Sequence, residues 1–313
     1  MIHVAAAVLE DAQGRILLTR RPEHVHQGGL WEFPGGKLEP GETIGHGLVR
    51  ELAEELGVQV QGHRPLIQVR HDYGDKSVLL DVHRVTAYAG VPQGLEGQPL
   101  AWVAPEALGD YPMPAADVPI VAAVRLPPVY LFTPPAVPDP QRLLTELEAA
   151  LEAGQRLVQL RVFDLPRAGH EALARRALKL CRAAGAWLLI NADIELAAGV
   201  GADGVHLHAR QLAALKARPE GFRWVAASCH EPGELARAAA LGLDFAVLSP
   251  VLPTPSHPDA APLGWEGFAA AVAAARLPVY ALGGMRPELL ATAWQHGAQG
   301  IAGIRGLWPV AAS

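Results

Sequence analysis

Gly36-Lys37-Leu38-Glu39-Pro40-Gly41-Glu42 runs through Thr43 to Arg50-Glu51-Leu52-Ala53-Glu54-Glu55-Leu56-Gly57-Val58, and these residues decide how the first part of the chain is read. Two Gly/Pro clusters, Pro34-Gly35-Gly36 and Pro40-Gly41, mark a loop with unusual backbone angles. Thr43 suits a helix N-cap, and Gly57 suits a C-terminal stop. Between them Ile44, Leu48, Leu52 and Leu56 recur at every fourth position, which predicts an amphipathic helix over 43–56. With Ile44 at 0°, the apolar stripe spans roughly 0–120°, and Glu51, Glu54 and Glu55 fall near 340°, 280° and 20°. Glu55 therefore points into the edge of the stripe, with the other two acids beside it. Such acids repel one another, and at a core margin each unpaired ion costs several kcal/mol. Two readings follow: a solvated acidic face, or a site for Mg2+ or Mn2+, hard cations that prefer carboxylate oxygens and retain waters for phosphate.

Outward from this stretch the pattern is strand-rich. Val4–Leu9 and Ile16–Thr19 read as strands around a turn at Asp11-Ala12-Gln13-Gly14, and the 43–56 helix is the one strongly periodic helix of this half. Leu126-Pro127-Pro128 follows an apolar segment from Pro119 to Val124, and paired prolines end a helix and stiffen a connector. Beyond it the rhythm changes. Short apolar runs at Val129–Phe132, Leu157–Leu160, Trp187–Ile190, Gly204–Leu207, Trp224–Ala227, Phe245–Leu248, Val279–Leu282 and Gly300–Ile304 are mostly separated by helix-like spacers. Those spacers include Leu143–Glu152, His170–Ala183, Glu234–Leu241, Trp265–Ala275 and Pro287–Gln295. Eight strands favour a (β/α)8 TIM barrel over a doubly wound open sheet. The expected architecture is an α+β domain over 1–126, a mixed sheet with flanking helices, followed by an α/β barrel over 127–313.

The composition agrees with two domains and narrows the function classes. At 313 residues the chain is about two domains long. Half of it is hydrophobic and only 19% is charged, which is not a disordered composition. Lys and Arg number 26 against 32 Asp and Glu, a balance of −6 that argues against binding a nucleic acid polymer or an anionic membrane. The two cysteines make no disulfide framework, and neither a signal peptide nor an 18-residue apolar run is present. The expectation is a cytoplasmic protein.

The stretch 36–58 resembles the signature of the Nudix hydrolases. Gly36, Glu42, Arg50, Glu51, Leu52, Glu54, Glu55, Gly57 and Val58 match its nine specified positions. The resemblance implies water attack on the phosphorus of a nucleoside diphosphate linked to another moiety. It implies metal-site roles for Glu51, Glu54, Glu55 and the Gly35 carbonyl, positioned by Arg50 and Glu42. Glu51 is the first choice for general base, with Glu54 or Glu96 as alternatives. Within the family the similarity extends to the MutT-type 8-oxo-dGTP diphosphatases through Thr19-Arg20-Arg21, Leu30-Trp31-Glu32-Phe33-Pro34-Gly35-Gly36-Lys37, Leu95-Glu96-Gly97-Gln98-Pro99 and Trp102. That likeness implies a nucleoside triphosphate substrate contacted by Arg21, His26, Glu32, Phe33, Pro34, Gly35, Lys76 and Asp117. Phe33 would pack near the base, and Glu96 would be a further metal-site carboxylate. Asp117 stands where those enzymes carry Asn in Pro-Pro-Ala-Asn-x-Pro. Asn offers a donor and an acceptor, whereas an ionised Asp only accepts.

In the second half, the expected strand ends carry Gln159, Arg161, Asn191, His206, His208, Ser228, His230, Ser249, Gly283-Gly284 and Ile304-Arg305. Val158-Gln159-Leu160-Arg161, Leu189-Ile190-Asn191, Gly201–Leu207, Ser249-Pro250-Val251 and Ala281–Gly284 resemble the thiamine-phosphate synthases and TenI-type thiazole tautomerases. The resemblance implies a phosphorylated thiamine-pathway ligand, with Gly283, Gly284, Ile304 and Arg305 at its phosphate and Arg161 and Asn191 facing it. Phe163, Ala192 and Gln211 depart from the synthase Lys and two Mg2+ carboxylates, and the Lys of the Thr-x-Thr-Lys loop is replaced within Thr254-Pro255-Ser256-His257. A tautomerase using His230 for proton transfer, a metabolite sensor regulating the hydrolase, and an inert scaffold stay open. Two further readings are a metal held by His206, His208 and His230, and a thiol nucleophile at Cys229.

Overall fold

The computed structural model describes residues 1–74, 76–136, 139–254 and 261–308. The chain forms two compact units, Met1–Arg125 and Leu126–Ser313.

The first unit runs β1 (Ile2–Val8), β2 (Ile16–Arg20), β3 (Trp31–Glu32), β4 (Gly35–Lys37), α1 (Ile44–Leu56), β5 (Gln59–Asp72), β6 (Ser77–Ala89), β7 (Leu100–Val103) and α2 (Val118–Arg125). A 3-10 turn, Pro105–Asp110, precedes α2. The larger sheet has the order β4-β1-β6-β5. Its β1–β6 pair is parallel and its other pairs are antiparallel, so the sheet is mixed. The smaller sheet, β3-β2-β7, is antiparallel. Alternation along β1 sends Ala5 and Ala7 to one core with Leu48, Leu52 and Leu56 of α1. The intervening Ala6 and Val8 go to the other core with Ile120, Ala123 and Val124 of α2. Small alanines on β1 let α1 approach closely. Thr43 caps α1 by accepting from His46 N–H at 3.3 Å, and Gly57 ends it with φ 67°.

Helix α2 covers the apolar segment before the paired prolines, as expected, and β5 and β6 form a hairpin of 14 and 13 residues that the sequence reading did not name. Pairing irregularities around Val60, Gly62 and Pro65 interrupt the period-two alternation that would have revealed β5.

The second unit contains β8 (Val129–Phe132), α3 (Pro140–Glu152), β9 (Leu157–Leu160), α4 (Arg167–Ala183), β10 (Trp187–Asn191), α5 (Ile194–Val200), β11 (Gly204–Leu207) and α6 (Ala209–Ala214). It continues with β12 (Trp224–Cys229), α7 (Pro232–Ala240), β13 (Phe245–Leu248), α8 (Gly264–Val272), β14 (Val279–Leu282), α9 (Leu290–Gln295) and β15 (Gly300–Gly303). All eight strands are parallel and close as β10-β11-β12-β13-β14-β15-β8-β9. This is the (β/α)8 barrel, not the open sheet. The paired prolines are part of its first turn: Pro127 accepts from the Tyr280 hydroxyl, and Pro128 accepts from Ile301 N–H at 3.0 Å. Tyr130, Phe245 and Tyr280 fill the centre with ring centroids 5.4–5.8 Å apart. Among the described residues no helix is long and apolar enough to cross a membrane.

Candidate functional site

In the first unit the acidic helix lies across the double glycine of β4. Gly35 N–H donates to Glu55 Oε2 at 3.0 Å. Gly35 has φ 144°, and a Cβ there would lie 2.1 Å from the Ala5 carbonyl oxygen. A Cβ on Gly36 would lie 2.1 Å from the Glu51 carboxyl, so the absent side chain makes room for that acid. Arg50 binds three acids at once: Glu42 through Nε and Nη2 (3.0 and 2.9 Å), and Glu51 and Glu54 through Nη1 (3.0 Å each). These bonds to Arg50, helped by Glu39 N–H, hold the Glu42 carboxyl down at about 2. Glu55 has no such partner. Burial, then Glu32, Glu96 and Glu51, raise its carboxyl to about 7 against the single N–H of Gly35.

These residues fit a divalent cation. The donors are hard carboxylate oxygens, and Glu55 is a half-buried acid crowded by three others, the conflict that a cation relieves. Among the described residues no three such side chains are already gathered around one point, because Arg50 draws Glu51 and Glu54 to itself.

A cavity of about 650 Å3 joins this acidic end to a second cluster. Gly35, Glu51, Glu55 and Glu96 line it together with Arg21, His26, Glu32, Lys76 and Asp117. Arg21 donates to Glu32, and burial outweighs that contact and raises the Glu32 carboxyl. Asp117 is only 6% exposed, and burial and then Glu32 push its carboxyl up to about 7, opposed by Phe33 N–H (3.5 Å) and Arg21. Arg50, Glu42 and the exposed Glu54 stand outside the cavity lining, with Arg50 gripping both acids from behind.

Two expected nucleotide contacts need correction. Phe33 is 3% exposed and lies in the α2-side core with Val8, Leu18 and Val82, so only its backbone faces Asp117. Pro34 spends its carbonyl on Ala7 N–H at 2.8 Å and does not line the cavity. The sequence reading missed Ile2, Val4, Val78 and Leu80, which supply an aliphatic wall from β1 and β6, and Tyr73 at the hairpin tip. The one local signal for Tyr73 was an aromatic residue beside Asp72 and Gly74 in a turn.

In the barrel, Arg161, Asn191, His230, Gly283 and Ile304 line a cavity of about 480 Å3 at the C-terminal ends of the strands. An adjoining cavity of about 230 Å3 contains Gly283, Gly284, Ile304 and Arg305. Gly283 and Gly284 have φ 101° and 70°, and a Cβ on Gly284 would lie 2.8 Å from Leu252 Cβ. Gln211 donates to the Ala192 carbonyl at 2.7 Å. His230 Nδ1 lies 2.9 Å from the Ser249 carbonyl.

The three-histidine metal reading is corrected. β11 ends at Leu207, and His208 caps α6 by accepting from Gln211 N–H. His206 is buried between the Tyr130 hydroxyl (3.2 Å) and Ser228 Oγ (2.8 Å), and burial lowers it to about 3. Cys229 is buried as well, and its thiol is pushed up to about 12, so it is no nucleophile. Pro255, Ser256 and His257 lie outside the described residues.

Comparison with known proteins gives the same division. The model of the NUDIX domain matches residues 5–123, and that of thiamine monophosphate synthase matches residues 129–307. The first part is 40% identical over 123 residues to a CTP pyrophosphohydrolase of Escherichia coli, covering 39% of this chain and 90% of that protein. It is 32% identical over 124 residues to the 8-oxo-dGTP diphosphatase of the same organism, covering 40% and 96%. The second part is 35% identical over 189 residues to a thiamine-phosphate synthase of Thioalkalivibrio sulfidiphilus, covering 59% and 89%. The chain thus belongs to two families at once: a MutT-like Nudix hydrolase in its first unit, and the thiamine monophosphate synthase family in its barrel.

Proposed function

We propose that the first unit is a Mg2+-dependent nucleoside triphosphate pyrophosphohydrolase of the cytoplasmic nucleotide pool, releasing a monophosphate and pyrophosphate. The observation that carries this reading is one cavity lined by the acids Glu51, Glu55 and Glu96 together with Arg21, His26 and Asp117. Glu51, Glu54, Glu55, Glu96 and the Gly35 carbonyl would hold Mg2+ or Mn2+, which would supply charge neutralisation for the polyphosphate and a more acidic water. Arg50 orients Glu51 and Glu54, Glu51 accepts the proton of the attacking water, and Lys76 and Arg21 meet substrate anions.

Asp117 bears on the choice of base. A neutral carboxyl offers one donor and one acceptor, as Asn does. It suits an edge that pairs an acceptor with an N–H, such as the carbonyl and N7–H of 8-oxoguanine or the N3 and amino group of cytosine. Ordinary guanine shows two acceptors on the corresponding edge. 8-oxo-dGTP and CTP are therefore the expected substrates, ahead of dGTP. Asp117 loses its proton as pH rises through about 7. The KM for both substrates should then climb, by up to about tenfold per pH unit. Asp117→Asn should give a flat KM–pH profile, and an unchanged slope in that variant would contradict the assignment.

A second reading concerns the barrel, as a metal-independent site for a phosphorylated thiamine-pathway ligand, whether tautomerase or sensor. Its support is that no Asp or Glu occurs among the described residues lining the two cavities, whereas Arg161, Arg286 and Arg305 do. Calorimetric titration of the full chain with thiazole phosphate in EDTA should show saturable binding, weakened at least about tenfold by Gly284→Val. Binding that appears only with Mg2+ would exclude the metal-independent site.

A further inference from the structure

We infer that Tyr73 seats the nucleobase by stacking. This rests on the triphosphate reading above and assigns a residue to base affinity. Tyr73 N–H donates to the Lys76 carbonyl at 2.9 Å, and Gly74 N–H donates to Asp72 Oδ1 at 2.9 Å. The Tyr73 ring meets His26 edge-on at 5.3 Å and His71 at 4.4 Å with a 59° tilt.

Contacts place Tyr73 beside Arg21: its ring meets His26, whose carbonyl accepts from Arg21 Nε at 3.1 Å, and Arg21 also donates to Glu32. Among the described lining residues Tyr73 is the one Phe, Tyr or Trp, in a cavity to which β1 and β6 contribute the aliphatic Ile2, Val4, Val78 and Leu80. Stacking on an aromatic ring serves any base, since every base has a π-face. Affinity for a base as a class therefore falls to Tyr73, and choice among bases falls to Asp117.

Steady-state kinetics of the full chain with Mg2+ test this, using CTP and abasic ribose 5-triphosphate as substrates. Tyr73→Ala should raise the KM for CTP about tenfold or more, with kcat nearly unchanged, and leave the kinetics of the abasic compound as they were. Tyr73→Phe retains the ring and should keep KM within about threefold. An unchanged CTP KM in Tyr73→Ala, or an equal loss on both compounds, would overturn the assignment. If the unaltered chain hydrolysed the abasic compound but no nucleoside triphosphate, the parent reading would fail instead.

Discussion

Glu55→Gln should lower kcat by about a thousandfold while making the protein more resistant to alkaline destabilisation. The catalytic half of this expectation follows from charge. Gln retains an oxygen for the Gly35 N–H, at 3.0 Å in the native protein, but brings no negative charge to a cation. Losing one preorganised electrostatic contact to a reacting phosphate costs about a hundred- to a thousandfold, and a metal-site acid belongs at the upper end. The stability half follows from the crowding of Glu55, whose carboxyl is raised to about 7 in the folded chain. A raised carboxyl favours the folded state's protonated form, so folding loses stability as pH climbs from the ordinary carboxylate range through about 7. Melting temperatures at pH 5 and pH 8, taken without divalent metal, should differ less in Glu55→Gln than in the native protein. Adding Glu54→Gln should leave no measurable Mg2+-dependent turnover. Normal turnover by the double variant would refute the metal-site assignment.

Gly36→Ala is expected to cost about a hundredfold in kcat with little change in melting temperature. The new Cβ would occupy the space of the Glu51 carboxyl, 2.1 Å away, but that carboxyl is the far end of a flexible side chain and can swing aside. The fold then survives, and the proposed general base leaves its position, a loss within the range attributed to general-base catalysis. Gly35→Ala provides the contrast. There φ is 144° and the clash is with the Ala5 backbone, which pairs with β4 and cannot move alone. That variant should be destabilised by several kcal/mol, the range reached when a special backbone position is lost. Thermal denaturation beside kinetics separates the two. Comparable unfolding in both variants would mean that Gly36 serves packing rather than Glu51.

Much of this molecule was legible in local pattern. The four-residue repeat of Ile44, Leu48, Leu52 and Leu56, with Thr43 before and Gly57 after, states a helix and both of its ends, because periodicity and capping involve residues within a turn of one another. The eight apolar runs state the barrel for a similar reason: strands buried on both faces read as continuous apolar segments. Spacing also carried the acids of α1, since their angular positions on the helix are fixed once it forms.

Long-range contacts settled the rest. Phe33 looked like a base contact until the core against α2 took its ring, leaving its N–H to Asp117, 84 positions away. Asp117 owes its raised carboxyl to burial and then Glu32, and Glu55 owes its own to burial and then Glu32 and Glu96, with only Glu51 close enough along the chain for local spacing to report it. The alternation of β5 is broken where it bulges, so the hairpin, and Tyr73 at its tip, became visible only once β6 had paired with it. His206 is a core group because Tyr130 and Ser228 converge on it from two other strands. Helix ends and strand runs are decided by near neighbours along the chain. Burial and charge pairing depend on which distant segments meet, and in this protein those meetings bring Asp117, Tyr73 and the acids of α1 to one cavity.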